Sequence, residues 1–212
     1  MALRNFARTA TSCTVALGLY MAAVAAAPAQ ESGSSPLAIG ASRVSIAGTS
    51  NIHAYTASTT ALRVTRVKLA NTVAGPTFWD EIVKPGALEA FEMAIPAATL
   101  ASDKEGLDKN MHKALKTKEF PDITFRLLRI EPGQGSAGAL RGIGVLTIAG
   151  VPREVALDLT TARRESGLSV HGQLALLMTD FGIAPPKAML GMLKTDPKVT
   201  ITFETVLTVP LT

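Results

Sequence analysis

Residues 198–204, Lys-Val-Thr-Ile-Thr-Phe-Glu, carry the clearest structural pattern in this chain of 212 residues. Apolar side chains stand at Val199, Ile201 and Phe203, and each is followed by a polar one. Successive side chains of a β-strand point to opposite faces, so this alternation predicts a strand with one buried face. The chain is therefore expected to fold around half-buried strands.

The same alternation, or a run rich in β-branched residues, recurs along most of the chain. It is found at residues 44–47, 53–61, 62–69, 91–95, 123–127 and 155–159. Turn sequences at 131–135, 150–152 and 165–167 separate some of these segments, and the gaps are too short for crossover helices. The pattern predicts a mainly β domain of consecutive antiparallel hairpins, closed as a barrel or packed as a sandwich so that few strand edges stay free.

Two segments break the strand pattern. In residues 103–116, Leu107, Met111 and Leu115 recur at helical spacing, and Asp103 is placed to cap the start of the helix. Residues 185–194, Pro-Pro-Lys-Ala-Met-Leu-Gly-Met-Leu-Lys, are expected to form one or two helical turns. The domain should therefore carry one or two short helices.

The first 29 residues have the three parts of a secretory signal peptide. Arg4 and Arg8 give a positive start, residues 15–27 are an uncharged apolar run, and Ala27-Pro28-Ala29 offers small residues for cleavage before Gln30. The alternative, an uncleaved anchor, needs about 20 apolar residues, more than this run supplies. We expect a cleaved signal at 1–29, a flexible leader at 30–40, one domain at 41–210, and a periplasmic or secreted mature protein without stable membrane insertion.

Cysteine and charge limit what the mature chain can do. The single cysteine, Cys13, lies within the predicted signal, so no disulfide is expected in the mature protein. Removal of Arg4 and Arg8 leaves 19 basic against 17 acidic residues, a net charge of +2. This mild charge, with little aromatic surface for base stacking, argues against nucleic acid as a partner.

No residue pattern points to metal chemistry, and only a weak one points to catalysis. His53, His112 and His171 lack metal-ligand spacing, and His112 is expected to face solvent. Ser50, His53 and Asp80 could in principle form a hydrolase site, but no nucleophile-elbow motif accompanies them. We therefore predict a protein that is not an enzyme and has no metal site, with a hydrolase as the open alternative.

Five segments, in order from about residue 44 to 206, resemble the YceI-like family. They are Gly48–Thr56, Asp108–Lys116 with Glu119–Phe125, Leu146–Val155, Thr179–Pro186 and Lys198–Phe203. Two positions depart from the family pattern: Ala149 replaces a common His, and Ala54-Tyr55 replaces Asp-Trp. These departures leave the fold unaffected but remove support for a polar role at those positions.

The resemblance implies a single antiparallel, lipocalin-like β-barrel of about eight strands that holds a polyisoprenoid, an isoprenoid quinone or a similar lipid. It also implies transport, storage or a stress response in the bacterial periplasm, and it is compatible with a homodimer. No cofactor is implied beyond such a bound ligand. On physical grounds, an eight-stranded barrel has room for its own side chains or for one small ligand.

Apolar residues of the strands and helices are the candidate ligand contacts, since flexible methionines fit irregular chains. The candidates are Phe91, Met93, Met111, Leu115, Phe120, Phe125, Phe181, Met189, Leu190 and Met192. The same residues could instead be ordinary core, because period-two patterning does not separate core from cavity lining. A filled barrel that acts as an interaction module without a ligand is therefore the second hypothesis. Trp79, in a segment read as a loop, could either guard a pocket or pack structurally.

Overall fold

Ten β-strands and two α-helices make up the part of the chain that the computed structural model describes, residues 36–71, 75–135, 138–188 and 193–209. The helices are α1 (Phe78–Ile82) and α2 (Glu105–Ala114), and short 3-10 turns lie at Ala97–Thr99 and Met178–Phe181. The strands are β1 (Ala38–Ser50), β2 (Ala54–Thr59), β3 (Arg63–Leu69), β4 (Leu88–Pro96), β5 (Asp122–Pro132), β6 (Ala139–Ile148), β7 (Val151–Arg164), β8 (Gly167–Leu177), β9 (Lys187–Ala188) and β10 (Leu193–Thr208). The predicted mainly β domain with short helices is confirmed.

The strands form one curled antiparallel sheet in the order β2-β1-β10-β8-β7-β6-β5-β4-β3, and β9 pairs with β10. Its two edge strands, β2 and β3, are consecutive in the chain and are joined by only three residues, 60–62. β3 also approaches β1, so the two edges meet at one seam. The curled sheet therefore has nine strands along its hydrogen-bonded path, close to the predicted barrel of about eight strands.

The outer edge of β2 is covered by the segment that follows β4. Ser58 N donates to Ala101 O at 2.8 Å, and Ala101 N donates back to Ser58 O at 3.0 Å. The hydroxyls of Thr59 and Thr99 lie 2.7 Å apart in a further hydrogen bond. These bonds satisfy backbone groups that a free edge would offer to another chain.

The sheet begins earlier than the sequence suggested. β1 starts at Ala38, inside the segment 30–40 that was assigned to a flexible leader, and Leu37 is only 1% exposed. Ile39 pairs in register with Leu207 of β10, so the apolar residues of this segment are used for packing and pairing. Residues 1–35, with the predicted signal and the rest of the leader, lie outside the described residues.

Helix α2 lies where periodicity predicted it, but Asp103 does not cap it. Lys104 is the N-cap, without a side-chain cap bond. Instead, the Asp108 carboxylate accepts hydrogen bonds from Ser102 N at 2.8 Å and Ser102 Oγ at 2.7 Å. Lys104 N in turn donates to Ser102 Oγ at 3.1 Å, so the approach to the helix is held by Ser102 and Asp108.

The predicted helical turns at 185–194 are wrong at both ends of that segment. Lys187 and Ala188 form β9, which pairs antiparallel with Lys194 and Leu193 of β10. Pro185 and the following Pro186 favour extended backbone and lack N–H donors, so a helix is disfavoured there. Met189, Leu190 and Met192, three candidate ligand contacts, lie outside the described residues.

Buried apolar residues form two clusters along the sheet, one at each end. The end that carries α2, together with the turns after β1, β6 and β8, is called the α2 end; its cluster includes Leu100, Leu115, Ile123, Ile148, Phe181 and Ile183. The opposite end, called the α1 end, is filled by Leu37, Phe78, Trp79, Ile82, Phe91, Leu168 and Leu207. The space that the α2-end cluster encloses, extending toward the α1-end cluster, is the candidate site.

Trp79 closes the α1 end from within α1 rather than from a loop. It is 7% exposed and packs edge-to-face against Phe78, with ring centroids 5.0 Å apart. The Arg163 guanidinium lies 5.8 Å from the indole centroid and donates to Pro76 O at 3.1 Å. These contacts assign Trp79 to structural packing.

Candidate ligand-binding cavity

A cavity of about 280 Å³ lies beneath α2. The helix turns Leu107, Met111 and Ala114 toward it, at positions i, i+4 and i+7, which share one helical face. Most of the lining is apolar. The walls opposite the helix are formed by inward-facing strand residues, which include Ile46, Ile123, Ile148, Leu176, Val199 and Ile201.

A second volume of about 90 Å³ continues deeper into the sheet. Ile46, Ile123 and Ile201 line both volumes, so the two are adjacent. Beyond the inner volume lies the α1-end cluster, against which the inner-volume residue Met93 also packs. These two adjacent apolar volumes, which follow each other from beneath α2 toward the α1-end cluster, are together called the tunnel.

Two glycines make room for aromatic rings in the tunnel wall. At Gly144, an added Cβ would lie 2.5 Å from Phe125 Cε2, and at Gly172 it would lie 2.7 Å from Phe203 Cε1. Each ring therefore covers the glycine of a neighbouring strand, a packing that shields strand glycines. Both Phe125 and Phe203 line the inner volume, which stays open because the rings lie against the wall.

The few polar residues that line the cavity are Ser50, His53, Tyr55, Lys104, Asn110 and Thr195, which lie at its mouth. Burial, and to a lesser extent the charge of Asp196, raises the pKa of the Tyr55 phenol above its ordinary value. Tyr55 is therefore a neutral hydroxyl at neutral pH. Tyr55 pairs with Gly48 of β1, where any side chain would collide with the phenol.

The structure brings half of the predicted contacts to the tunnel. Met111, Leu115 and Phe181 line the outer volume, and Met93 and Phe125 line the inner one.

Two predicted contacts lie elsewhere. Phe91 is buried in the α1-end cluster, two residues beyond Met93 on the same face of β4. Phe120 packs on the β6–β7 turn, where a Cβ at Gly150 would lie 2.6 Å from Phe120 Cζ. Phe91 belongs to the core because its depth along β4 places it past the inner volume, and Phe120 belongs to the turn because its ring covers Gly150.

Most of the tunnel wall comes from residues that were not singled out from the sequence. Tyr55, Leu174, Leu176 and Ile183 are examples, and Tyr55 is the one that brings a polar group. Leu174 and Leu176 share the inward face of β8 with their period-two neighbours, a signal that identifies the face but not the depth.

The hydrolase alternative is not supported by the geometry. Ser50 and His53 lie at the α2 end, whereas Asp80 lies on α1 at the opposite end, so the three do not meet. The Ser50 hydroxyl donates to His53 O at 2.8 Å and accepts from His53 N at 3.1 Å, both backbone groups of the β1–β2 turn. Ser50 is thus a turn residue.

The other two histidines also have structural partners. His112 Nε2 lies 2.8 Å from Leu100 O, so the expectation that His112 faces solvent is wrong. His171 Nδ1 lies 3.5 Å from Glu204 on the neighbouring strand. Within the described ranges, no group of three or more His, Cys, Asp or Glu residues is placed to hold a metal ion. In the same ranges, no helix has the length and apolar character needed to cross a bilayer.

A curled antiparallel sheet around an apolar cavity is typical of barrels that enclose one small ligand. Comparison with family profiles matches the YceI-like domain over residues 42–207. The chain belongs to the YceI-like family, which is a binding-protein fold.

Solved structures share this fold at low sequence identity. Burkholderia cenocepacia BcnA is 18% identical, with a TM-score of 0.61 over 79% of this chain and 96% of BcnA. A polyisoprenoid binding domain from Saccharophagus degradans, implicated in plant cell wall breakdown, is 14% identical, with a TM-score of 0.60 over 82% of this chain and 99% of that domain. A comparison with curated proteins finds no significant match.

Proposed function

We propose that the protein binds the apolar chain of an isoprenoid, an isoprenoid quinone or a similar lipid in the tunnel beneath α2. The observation that carries this proposal is the apolar tunnel itself, about 280 Å³ under α2 with a further 90 Å³ behind it. A barrel filled by its own side chains would have no such space. The similar domain from Saccharophagus degradans is a polyisoprenoid binding domain, which supports the same class of ligand.

The affinity for such a chain can come from burial alone. Burying ten methylene equivalents at about 0.8 kcal/mol each contributes about 8 kcal/mol. This corresponds to roughly micromolar affinity before the cost of ordering the ligand is subtracted. A polar clamp is therefore unnecessary for the chain.

The polar head of an amphiphile would lie at the mouth. Lys104 and Asn110 are exposed there, and the neutral Tyr55 hydroxyl can donate or accept a hydrogen bond. Deeper in the tunnel the lining is apolar apart from Thr205, so a head group placed there would lose most of its hydrogen bonds to water. We therefore place the chain inside and the head at the rim.

Export is part of the proposal. Its support is the sequence of residues 1–29, with a positive start, an apolar run and a small-residue cleavage site. A carrier that shields an apolar chain from water would act in the periplasm or outside the cell, for transport, storage or a stress response. Detection of a mature chain that begins at Gln30, by mass spectrometry of the protein from a periplasmic extract, tests this part separately.

The binding proposal is tested with the mature chain and a pair of matched substitutions. Ala114→Phe places a ring in the cavity from α2, whereas Ala175→Phe places one on the exposed outer face of β8. Native mass spectrometry after gentle extraction detects a co-purified ligand, and titration with farnesol measures affinity.

We expect Ala114→Phe to weaken farnesol binding about tenfold or more, since it displaces roughly two methylene contacts. Ala175→Phe should bind like the unsubstituted protein, and both variants should keep its β-sheet circular dichroism. Equal binding by all three proteins would show that the tunnel is not the binding site. An unsubstituted protein that holds no lipid and binds no prenyl alcohol would refute the proposed function.

A further inference from the structure

The tunnel has a floor, and its depth can be followed along β10. Val199 and Ile201 line the outer volume, and Ile201, Phe203 and Thr205 line the inner one. The next inward-facing residue, Leu207, is 8% exposed and belongs to the α1-end cluster. On this strand the open space ends between Thr205 and Leu207.

Two strands elsewhere in the sheet, β4 and β5, end the tunnel in the same way. On β4, Ile95 and Met93 line the inner volume, whereas Phe91 belongs to the α1-end cluster. On β5, Phe125 lines the inner volume and Leu127 packs against that cluster. On β10, β4 and β5 the inward face thus passes from the inner volume to the α1-end cluster within two residues.

Met93 is the floor residue with the most adaptable side chain. It lines the inner volume and also packs against the α1-end cluster, so it separates the tunnel from the packed end. A methionine side chain is unbranched and fills irregular gaps. Its removal would extend the tunnel without opening it to solvent, since Phe91 and Trp79 remain behind it.

The tunnel's dimensions correspond to a short chain. From Val199 to Thr205 a strand advances about 20 Å. Because strands in a barrel tilt by about 40° from its axis, this corresponds to about 15 Å of depth along the axis. An extended isoprene unit contains four carbon–carbon bonds of about 1.5 Å and spans about 5 Å. The length therefore accommodates about three isoprene units.

The volume gives the same answer independently. A cavity of about 150 Å³ takes up benzene, which corresponds to about 25 Å³ for each carbon. The outer and inner volumes of about 280 and 90 Å³ then hold on the order of 15 carbons, again three isoprene units.

We propose that the tunnel measures chain length: it buries about three isoprene units, and Met93 sets the limit. This inference rests on the proposed function and specifies its ligand as a chain of the farnesyl class, or as the last three units of a longer chain. Carbons beyond the third unit remain at the mouth, where they gain little from burial.

The test uses a series of prenyl alcohols with one to five isoprene units and the mature chain. For the unsubstituted protein, affinity measured by competition against a fluorescent fatty acid should rise about tenfold or more for each unit up to three. It should then change by less than about threefold for the fourth and fifth units, because those units stay outside the tunnel.

Three variants separate the floor from the mouth. Met93→Ala removes three heavy atoms, which makes room for about three of the five carbons of a further unit, so the gain in affinity from the third to the fourth unit should rise to about tenfold or more. Met111→Ala, the same substitution on α2 at the mouth, should leave that gain below about threefold. Leu174→Phe fills the inner volume from β8 and should lower the plateau to two, which tests the limit even if Met93→Ala does not fold.

The outcomes distinguish this inference from the proposed function. Affinity that keeps rising through five units in the unsubstituted protein would overturn the length limit and leave the binding function intact. If the plateau stays at three units in both Met93→Ala and Leu174→Phe, the floor does not set the limit on chain length. Failure of every alcohol to bind would instead refute the proposed function.

Discussion

Gly172 of β8 lies against the Phe203 ring, so we expect a side chain at this position to lower the stability of the barrel and to narrow its inner volume. An added Cβ there would lie 2.7 Å from Phe203 Cε1, closer still to Phe203 Cζ, and 2.8 Å from Leu159 Cδ2. Real Cβ atoms essentially never approach a heavy atom within 3.0 Å. In Gly172→Ala the Phe203 ring must therefore leave the wall, and the free space available to it is the inner volume that it lines.

The expected size of this effect follows from two opposing contributions. Overpacking of a filled wall costs about 1–3 kcal/mol. Replacing a strand glycine by alanine raises the free energy of unfolding by about 0.5–1 kcal/mol, because alanine gives the unfolded chain less backbone freedom than glycine. The net loss of stability is about 1 kcal/mol in the middle of these ranges and about 2.5 kcal/mol at most, so for a domain of this size the Tm should fall by about 2–4 °C at mid-range.

Thermal unfolding followed by circular dichroism measures this loss, with Gly142→Ala as the matched control. At Gly142 of β6 the nearest atom to an added Cβ is Leu159 Cδ1 at 3.2 Å, the far end of a flexible side chain, so the Tm should change little. Phe203→Leu should relieve the collision, so the double variant Gly172→Ala/Phe203→Leu should lose less stability than the two single losses combined.

Two results would contradict this account. A Gly172→Ala protein as stable as Gly142→Ala would show that the ring is not held against the wall. Strict additivity in the double variant would show that the alanine collides with something other than Phe203. In either case the inner volume would not depend on this glycine.

Three further predictions follow from buried groups. Thr205 Oγ1 is buried without a hydrogen-bond partner among the described residues, so Thr205→Val should raise the Tm by about 2–4 °C, the equivalent of about 1 kcal/mol; an unchanged Tm would indicate a bound water or ligand. Tyr55 is the only tyrosine after residue 29, and its raised pKa predicts that the absorbance of its phenolate appears with a midpoint above the ordinary 10.0. The stability that Tyr55 contributes is fully present below pH 10.0 and is lost as the pH rises through the folded-state pKa. The Tyr55→Phe variant should not show this loss of stability at high pH. Trp79→Ala should destabilise the protein by about 3–5 kcal/mol in denaturant titrations, because it empties the α1 end; a loss below 1 kcal/mol would show that α1 does not close the barrel.

The period-two pattern predicted the strands well because each strand has one face toward the core. The segments around Val199, Phe125 and Leu157 all lie in strands, and their alternating residues face inward as expected. The helix at 105–114 was also predictable from the spacing of Leu107 and Met111. Local periodicity reports which face is buried, and that information is present in the sequence.

The errors have a common physical origin in contacts between distant segments. Ala38 joins β1 because β10 offers it a partner, and Lys187 joins β9 because Lys194 lies opposite. Asp108 rather than Asp103 holds the approach to α2, because Ser102 turns back toward the helix. None of these pairings leaves a local signal strong enough to be recognised before the partner is known.

The sequence alone determined the class of fold, the position of α2 and the family, since alternation, helical spacing and five ordered segments are local properties. Only the tertiary structure decided which inward-facing residues line an open tunnel and which fill the core. Phe91, Met93 and Ile95 share one face of β4 and are equivalent in the pattern. They differ only in depth along the barrel: Ile95 and Met93 face free space, and Phe91 is packed against α1. Depth is set by the register of nine strands and by the helix that closes one end, and therefore it appears only when the chain is folded.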